Sequence, residues 1–331
     1  MIELKLLEDA ARKEGIINSV GMPDAWANWR DTWDEMARRY GLNHSDTDMS
    51  SAQQIAKFEA ERDNASADIG DVGMSFGPIA SAKGVTQPHK PSTWEQIPIW
   101  AKDQDGHWML GYTGTIAFII NKQLVGENGT PKTWHDLERG KYKVTIGDVG
   151  TAAQAACGVL AAAIAYKGDE SNVAPGLRLF TQLAQQKRLS LANPTIQTLE
   201  KGEVEVGVLW DFNGLSYRAQ IDPKRFDVLI PSDGSVTSGY TTVINKYAKH
   251  PNAAKLVREF ILSDAGQINL ARGHARPIRA EHLKLPQGIE ANLLPNEQYR
   301  AAQPINNTEA WAATTKRLTQ MWQEQVIIEM E

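Results

Sequence analysis

Short apolar, β-branched runs that end in glycine and lead into a capped amphipathic helix recur along this chain, and no other feature constrains its fold as tightly. Residues 16–20 (IINSV) read as a buried strand ended by Gly21-Met22-Pro23. A strongly periodic helix follows: Trp26, Trp29, Trp33, Met36, Ala37 and Tyr40 fall on one face, with Asp24 as the expected N-cap and Gly41 as the stop. Ser50-Ser51-Ala52-Gln53 has the spacing of a capping box and opens a second helix that buries Ile55 and Phe58. Residues 67–69 (ADI) read as a short strand, and 70–75 (GDVGMS) as a glycine-containing loop before another short helix. Strand, loop and helix alternating in this way predict α/β architecture with largely parallel sheets.

The pattern continues downstream. Residues 108–112 and 115–121 are apolar, β-branched runs separated by Thr113-Gly114, and a glycine inside a strand pattern predicts a bend or crossover. Residues 144–146 predict a strand, followed by Gly147-Asp148-Val149-Gly150 and a second capping-box spacing, Thr151-Ala152-Ala153-Gln154. A helix over 194–201 closes at Gly202, and strands follow at 204–210, 226–230 and 239–244. Pro251 opens a further helix, and Trp311, Thr315, Leu318 and Trp322 line the face of the last one.

Composition limits the function classes. With 331 residues, 42% hydrophobic and 23% charged, the chain has material for two ordinary domains or one large one and is not of a disordered or collagen-like class. The net charge is -5 and basic residues are scattered, which argues against a nucleic-acid partner. A single cysteine, Cys157, excludes an intramolecular disulfide and any multi-cysteine metal site, and its alanine-rich apolar helix predicts an inert thiol. The longest apolar stretch, 152–166, falls short of the roughly 20 residues of a membrane span and carries Gln154. The N-terminus lacks the pattern of a signal peptide, which taken literally predicts a cytoplasmic protein and fits equally a mature exported one given a start methionine. No zinc-binding spacing joins the seven histidines, and no GxGxxG, GxxxxGK[ST] or GxSxG motif occurs.

In chain order, DAARKEG before the first strand, the Ser-Ser helix start, ADI, GTIAFIINK, IGDVGTAAQ, LEKGEVEVGVLWD and NKYAKHPNAAKLVREFILSDAGQ resemble a bacterial ABC-transporter solute-binding protein. The cluster in question holds ferric-ion-, sugar-phosphate-, phosphonate-, thiamine- and polyamine-binding receptors, and the resemblance runs over residues 8–285. It implies a two-lobed α/β fold of periplasmic-binding-protein type II. The lobes would be 1–113 with 235–331, and 114–234, joined by two crossover strands near 113–115 and 235–238 that serve as a hinge and trap the ligand by closure. It further implies a monomer without enzymatic activity or cofactor, periplasmic or at the cell surface, that hands a small molecule to an ABC permease in the inner membrane. Two other classes compete: an enzyme on the same fold with His274 or Asp211 as general base, and a ligand-sensing domain of a regulator. No nucleophile–base pairing supports the first, and no helix-turn-helix or anchor the second.

Ligands of open α/β sheets sit outside the carboxyl ends of strands, against helix N-termini, which selects the loops at 21–26, 50–51, 70–75, 148–154 and 210–213. Thr151 and the amides from Ala152 onward form the candidate anion site, against a plain capping role with Gln154. The resemblance agrees, because the matching segment holds the bound anion in ferric-ion-binding relatives. Ser50, Ser51 and Asp24 carry the same choice between capping and binding. Asp71, in a glycine-flanked loop, has no packing duty and is expected to face the ligand. Trp210-Asp211 pairs an indole for stacking with a carboxylate for hydroxyls or amines. Trp26, in the first turn of its helix, is the tryptophan there that can reach the site, while Thr113, Thr115 and Tyr240 lie at the crossovers. Arg276 is either an anion contact or a surface residue before a proline turn.

Aligning GEV with GEV places Phe212-Asn213 where the ferric-ion receptors have adjacent tyrosine ligands, so iron is not expected and no metal site is assigned. Helix N-termini and Arg276 favour a phosphate or carboxylate, whereas Asp24, Asp71, Asp148, Asp211 and the tryptophans favour a cation such as a polyamine or thiamine. A hydroxylated anion such as a sugar phosphate uses both sets and is the expected ligand.

Overall fold

The computed structural model describes residues 2–331. The chain forms two compact units, Met1–Thr113 with Gly239–Leu293, and Gly114–Ser238 with Leu294–Glu331. Two long strands, Trp108–Asn121 and Ser235–Ile244, run from one unit into the other. The first is continuous through Gly114, where the sequence predicts a bend or crossover, and the boundary between the two units falls between Thr113 and Gly114.

In the first unit, Ile16–Val20 lies parallel to Asn43–Thr47 on one side and to Ile69–Gly73 on the other. The second half of Ser235–Ile244 then adds antiparallel to Ile69–Gly73, with Asp71 opposite Thr242 and Gly73 opposite Tyr240. Ile69–Gly73 corrects the sequence reading. The glycines and the aspartate suggested a loop, yet Asp71 sits mid-strand, 4% exposed. The Ser50 capping box forms as expected and opens Ser51–Glu61, which buries Ile55 and Phe58 against Val20, Val72 and Val243. Pro251–Leu262 begins at its proline, and its Arg258 is fully buried, donating to Thr242 Oγ1 and to the carbonyls of His89, Gly106, His107 and Thr242.

The tryptophan-rich helix also differs from expectation. It spans Trp29–Tyr40 and ends at left-handed Gly41, but Asp24 is not its N-cap. Ala27 and Asn28 both have positive φ, at 52° and 55°, so the chain cannot enter the helix before residue 29. Trp29, Trp33 and Met36 bury their stripe as the period predicts, and Trp26 is left outside the helix.

In the second unit, Val206–Trp210 pairs antiparallel with the later half of Trp108–Asn121, which also pairs with Phe226–Leu229. Val206–Trp210 runs parallel to Val144–Thr145, itself parallel to Leu189–Ser190. The sheets are therefore mixed rather than largely parallel, because the strands shared by both units enter antiparallel to their neighbours.

The C-terminal segment overturns part of the expected lobe division. Residues 294–331 belong with the second unit. Ala302–Pro304 pairs with the start of Ser235–Ile244, and helix Thr308–Gln325 buries Trp311, Thr314, Leu318 and Trp322. Thr314, not Thr315, faces inward and donates to the carbonyl of Glu170, while the Trp322 ring lies 5.5 Å edge-on from Phe180. The driving term is burial of two indoles, which the local pattern predicts without naming the partner.

Candidate functional site

The first unit gathers an aromatic cluster around a buried carboxyl group. Asp71 comes from strand Ile69–Gly73, Tyr112 from the strand passing to the second unit, and Tyr240 from the strand returning. Trp26 comes from the strained loop before helix Trp29–Tyr40. The Tyr112 hydroxyl donates to Asp71 Oδ2 at 2.8 Å and accepts from Trp26 Nε1 at 2.7 Å. The Tyr112 and Tyr240 rings stack at 5.3 Å and 13°, Trp26 meets Tyr240 edge-on at 5.6 Å, and Trp29 meets Tyr112 edge-on at 5.9 Å. Burial pushes the Asp71 carboxyl well above the ordinary range, opposed by the Tyr112 hydroxyl and the nearby Trp29 indole; that indole nitrogen is outside hydrogen-bond geometry with any acceptor. Burial, with the Asp71 charge beside it, likewise raises Tyr112 well above a normal phenol, which holds its proton in place.

The loop that presents Trp26 is secured at both ends. The Met22 N–H donates to Asp46 Oδ1, and Trp33 Nε1 donates to the Met22 carbonyl. At the other end Asn28 Nδ2 donates to Asp31 and to the Asn269 carbonyl. Gly273 has to be glycine there, since a Cβ would come within 2.6 Å of Asn28 Cβ and 2.9 Å of its nitrogen. Two consecutive left-handed non-glycine residues cost energy and persist because these contacts over-determine them.

The other first-unit candidates separate by role. Ser50 is exposed and caps its helix, accepting from the Gln53 N–H and donating its own N–H to Gln53 Oε1. Ser51 Oγ accepts from the Gly73 N–H at 3.0 Å and so ties that helix to the strand of Asp71. Asp24 is exposed in the turn before Trp26. Thr113 is buried, and half-buried Arg276 pairs with it antiparallel, one position from Pro277 opposite Tyr112.

In the second unit the central group is Asp211, fully buried as the first residue of helix Asp211–Ile221. Its Oδ1 accepts from the Thr115 N–H at 3.0 Å and its Oδ2 from the Tyr299 hydroxyl at 2.6 Å. Thr115 Oγ1 shares a hydrogen bond with Thr237 Oγ1 at 3.0 Å. Trp210 and Phe212 are buried, at 4% and 3% exposure, and both press on Gly114, where a Cβ would lie 3.0 Å from the indole and 3.1 Å from the phenyl ring.

The capping box expected at Thr151 does not form. The helix begins at Ala153 with Ala152 as N-cap and no side-chain cap. Gln154 instead reaches inward and donates to the carbonyls of Ile146 and Val208, bridging two strand ends. Exposed Thr151 donates its hydroxyl to Asp148 Oδ2, and the Gly150 N–H donates to Asp148 Oδ1. An aspartate therefore already engages two donors of the loop selected for an anion.

Among the described residues no group of three or more His, Cys, Asp or Glu side chains is arranged to hold a metal ion, and no helix is long and apolar enough to cross a membrane. The family model described as bacterial extracellular solute-binding protein matches residues 64–302. The chain belongs to this family of extracellular solute-binding proteins. Solved structures agree. AfuA, a periplasmic binding protein of Actinobacillus pleuropneumoniae with exogenous fructose-6-phosphate bound, matches with a TM-score of 0.73 and 17% identity over 95% of this chain and 98% of its own. The ferric binding protein of Campylobacter jejuni matches at 0.70 and 19% over 93% and 98%, and iron-bound HitA of Pseudomonas aeruginosa at 0.71 and 16% over 92% and 98%. No curated protein matches the chain by sequence. At these identities the likeness is one of fold, the α/β type II fold of periplasmic binding proteins. Family and fold agree for this solute-binding protein, since AfuA is a periplasmic binding protein.

Three residues of these clusters escaped the sequence reading. Tyr112 ends the apolar run 108–112, a pattern that marks a strand and no polar role. Trp29 was counted on the buried stripe without its neighbour Asp71. Tyr299 lies in a polar turn, Asn296–Ala301, where no periodicity marks it. The available signal was chemical: a buried aspartate such as Asp71 or Asp211 requires donors, and tyrosine supplies one on an apolar body.

Proposed function

We propose that this solute-binding protein is the extracytoplasmic receptor of an ABC importer, periplasmic or held at the cell surface, and that it delivers a hydroxylated anion such as a sugar phosphate or carboxylate to a membrane permease. The observation that carries the reading is the paired aromatic surface of Trp26 and Tyr240, both half-buried and held in place from behind by Tyr112. With its N–H donating to Tyr112, the Trp26 indole offers carbon faces, which suit the C–H face of a sugar or another flat ring. Arg276, in the same unit and one strand position from the partner of Tyr112, supplies a guanidinium for an anionic end. AfuA, similar in fold, carries a sugar phosphate.

A second reading, a receptor for a polyamine or thiamine, is favoured by one observation: Asp148 brings negative charge to the Thr151 loop, and aromatic faces also attract cations.

Calorimetric titration of ligand-stripped protein with sugar phosphates, di- and tricarboxylates, phosphonates, polyamines, thiamine and ferric citrate decides between them. The expected result is binding of phosphorylated or carboxylated compounds, weakened about tenfold or more by Trp26→Ala and by Arg276→Gln. Binding of amines alone replaces this reading with the second, and binding of ferric citrate alone overturns both.

A further inference from the structure

We propose that Asp71 is a positioning residue: it orients the hydroxyl of Tyr112 so that this oxygen accepts from the Trp26 indole and holds it in its binding attitude. The inference rests on the reading of Trp26 as a solute contact. It reassigns Asp71 from the ligand to the layer behind the ligand.

The argument is one of donors and acceptors. A tyrosine hydroxyl has a single proton, and an indole N–H can only donate. The 2.7 Å contact from Trp26 Nε1 therefore requires the Tyr112 oxygen to act as acceptor, so its proton must point elsewhere. It points to Asp71 Oδ2 at 2.8 Å. Removing the acceptor at position 71 takes away the bond that directs the Tyr112 proton away from Trp26.

The relay also sits where rigidity matters. Asp71 is held mid-strand between Ile16–Val20 and the returning strand, opposite Thr242, and it is 4% exposed. Trp26 rides on a loop secured at Met22 and at Asn28, so its backbone is placed independently of Asp71. The bond from its N–H to Tyr112 adds a constraint on the indole itself, and Asp71 takes the proton that would oppose that bond.

The test uses the full chain. Indole N–H exchange is followed by 15N NMR in ligand-free protein, with the Trp26 resonance assigned by its loss in Trp26→Phe. Affinity is measured in parallel for whichever member of the solute panel binds. Asp71→Ala is expected to speed Trp26 N–H exchange about tenfold or more and to weaken binding by a similar factor, as for one lost hydrogen bond. Asp71→Asn retains an acceptor oxygen and is expected to restore both. Tyr112→Phe should reproduce Asp71→Ala, and the double variant should be no worse than Tyr112→Phe alone, because residues acting in one chain are not additive. Unchanged Trp26 exchange in Asp71→Ala, or additive losses in the double variant, overturns the proposal. If Asp71→Ala does not fold, unchanged exchange in Tyr112→Phe overturns it equally. The exchange measurement needs no ligand, so it decides the role of Asp71 even if the proposed solute class is wrong.

Discussion

The hydroxyl of Tyr299 donates to Oδ2 of Asp211 at 2.6 Å, and through that bond the C-terminal segment is tied to the first turn of helix Asp211–Ile221. Asp211 is fully buried, and its other oxygen is taken by the Thr115 N–H. Tyr299→Phe removes the donor and leaves its acceptor in place. A lost hydrogen bond to a buried charged group costs about 1.5–3 kcal/mol. The thermal midpoint is expected to fall by about 2–4 °C for each kcal/mol. A midpoint equal to wild type in differential scanning calorimetry would show that Asp211 is satisfied without Tyr299.

Gly114 is confined by Trp210 and Phe212, so Gly114→Ala forces one ring to move by a few tenths of an ångström. Overpacking of this kind costs about 1–3 kcal/mol. Gly73→Ala is the control, since its Cβ would meet nothing closer than 3.8 Å and its φ is not positive. Urea unfolding should place the Gly114 variant clearly below wild type and the Gly73 variant within about 1 kcal/mol of it. Equal midpoints for the two variants would contradict the geometry.

His44 makes the fold sensitive to acid. Its ring stacks on Trp33 at 3.6 Å and 12°, and Ser19, whose single proton goes to Asp46, accepts from His44 Nε2 at 2.8 Å. Burial pushes the imidazole pKa from 6.5 down to about 4, against a smaller upward pull from Asp24. Between those values the unfolded chain binds the proton and the folded chain does not, so stability rises with pH. The contribution is complete above about 6.5 and is lost as pH falls toward about 4. Asp46, raised by burial, acts in the opposite sense at the acid end. Urea midpoints at pH 7 and at about pH 4.5 should differ more for wild type than for His44→Phe, which keeps the stacking and removes the titration. An equal loss in both proteins would assign the acid sensitivity elsewhere.

Cys157 lies in helix Ala153–Ala165, and burial pushes its thiol up to about 12. At about pH 8 the native protein should not react with a disulfide reagent, since the nucleophile is the thiolate, and the denatured protein should react with one equivalent. Rapid modification of the native protein would mean that this helix opens readily.

Local rules account for much of the architecture. The strand at 16–20, the one expected over 204–210 and found at Val206–Trp210, the capping box at Ser50, the proline start of Pro251–Leu262 and the glycine stops at Gly41 and Gly202 are all legible. Each is decided by residues within a turn or a strand of one another. Thr151-Ala152-Ala153-Gln154 met the same rule and failed, because Gln154 found two strand carbonyls to bridge. A side chain with a buried tertiary partner leaves its cap.

The alternation of runs, turns and capped helices was sufficient for an α/β fold, and the ordered motifs for the family, because hydrophobic period and helix caps are written in neighbouring positions. The arrangement of Asp71, Tyr112 and Trp26, and that of Asp211, Thr115 and Tyr299, was decided only by the tertiary structure. Strand Ile69–Gly73 shows why. Gly-Asp-Val-Gly disfavours a strand by propensity, yet Gly70 leaves room for the end of the Gln54 side chain, and the aspartate is accepted because Tyr112 donates to it. A buried carboxyl group is tolerated only where distant segments deliver its donors, and nothing in the local sequence records which segments those are.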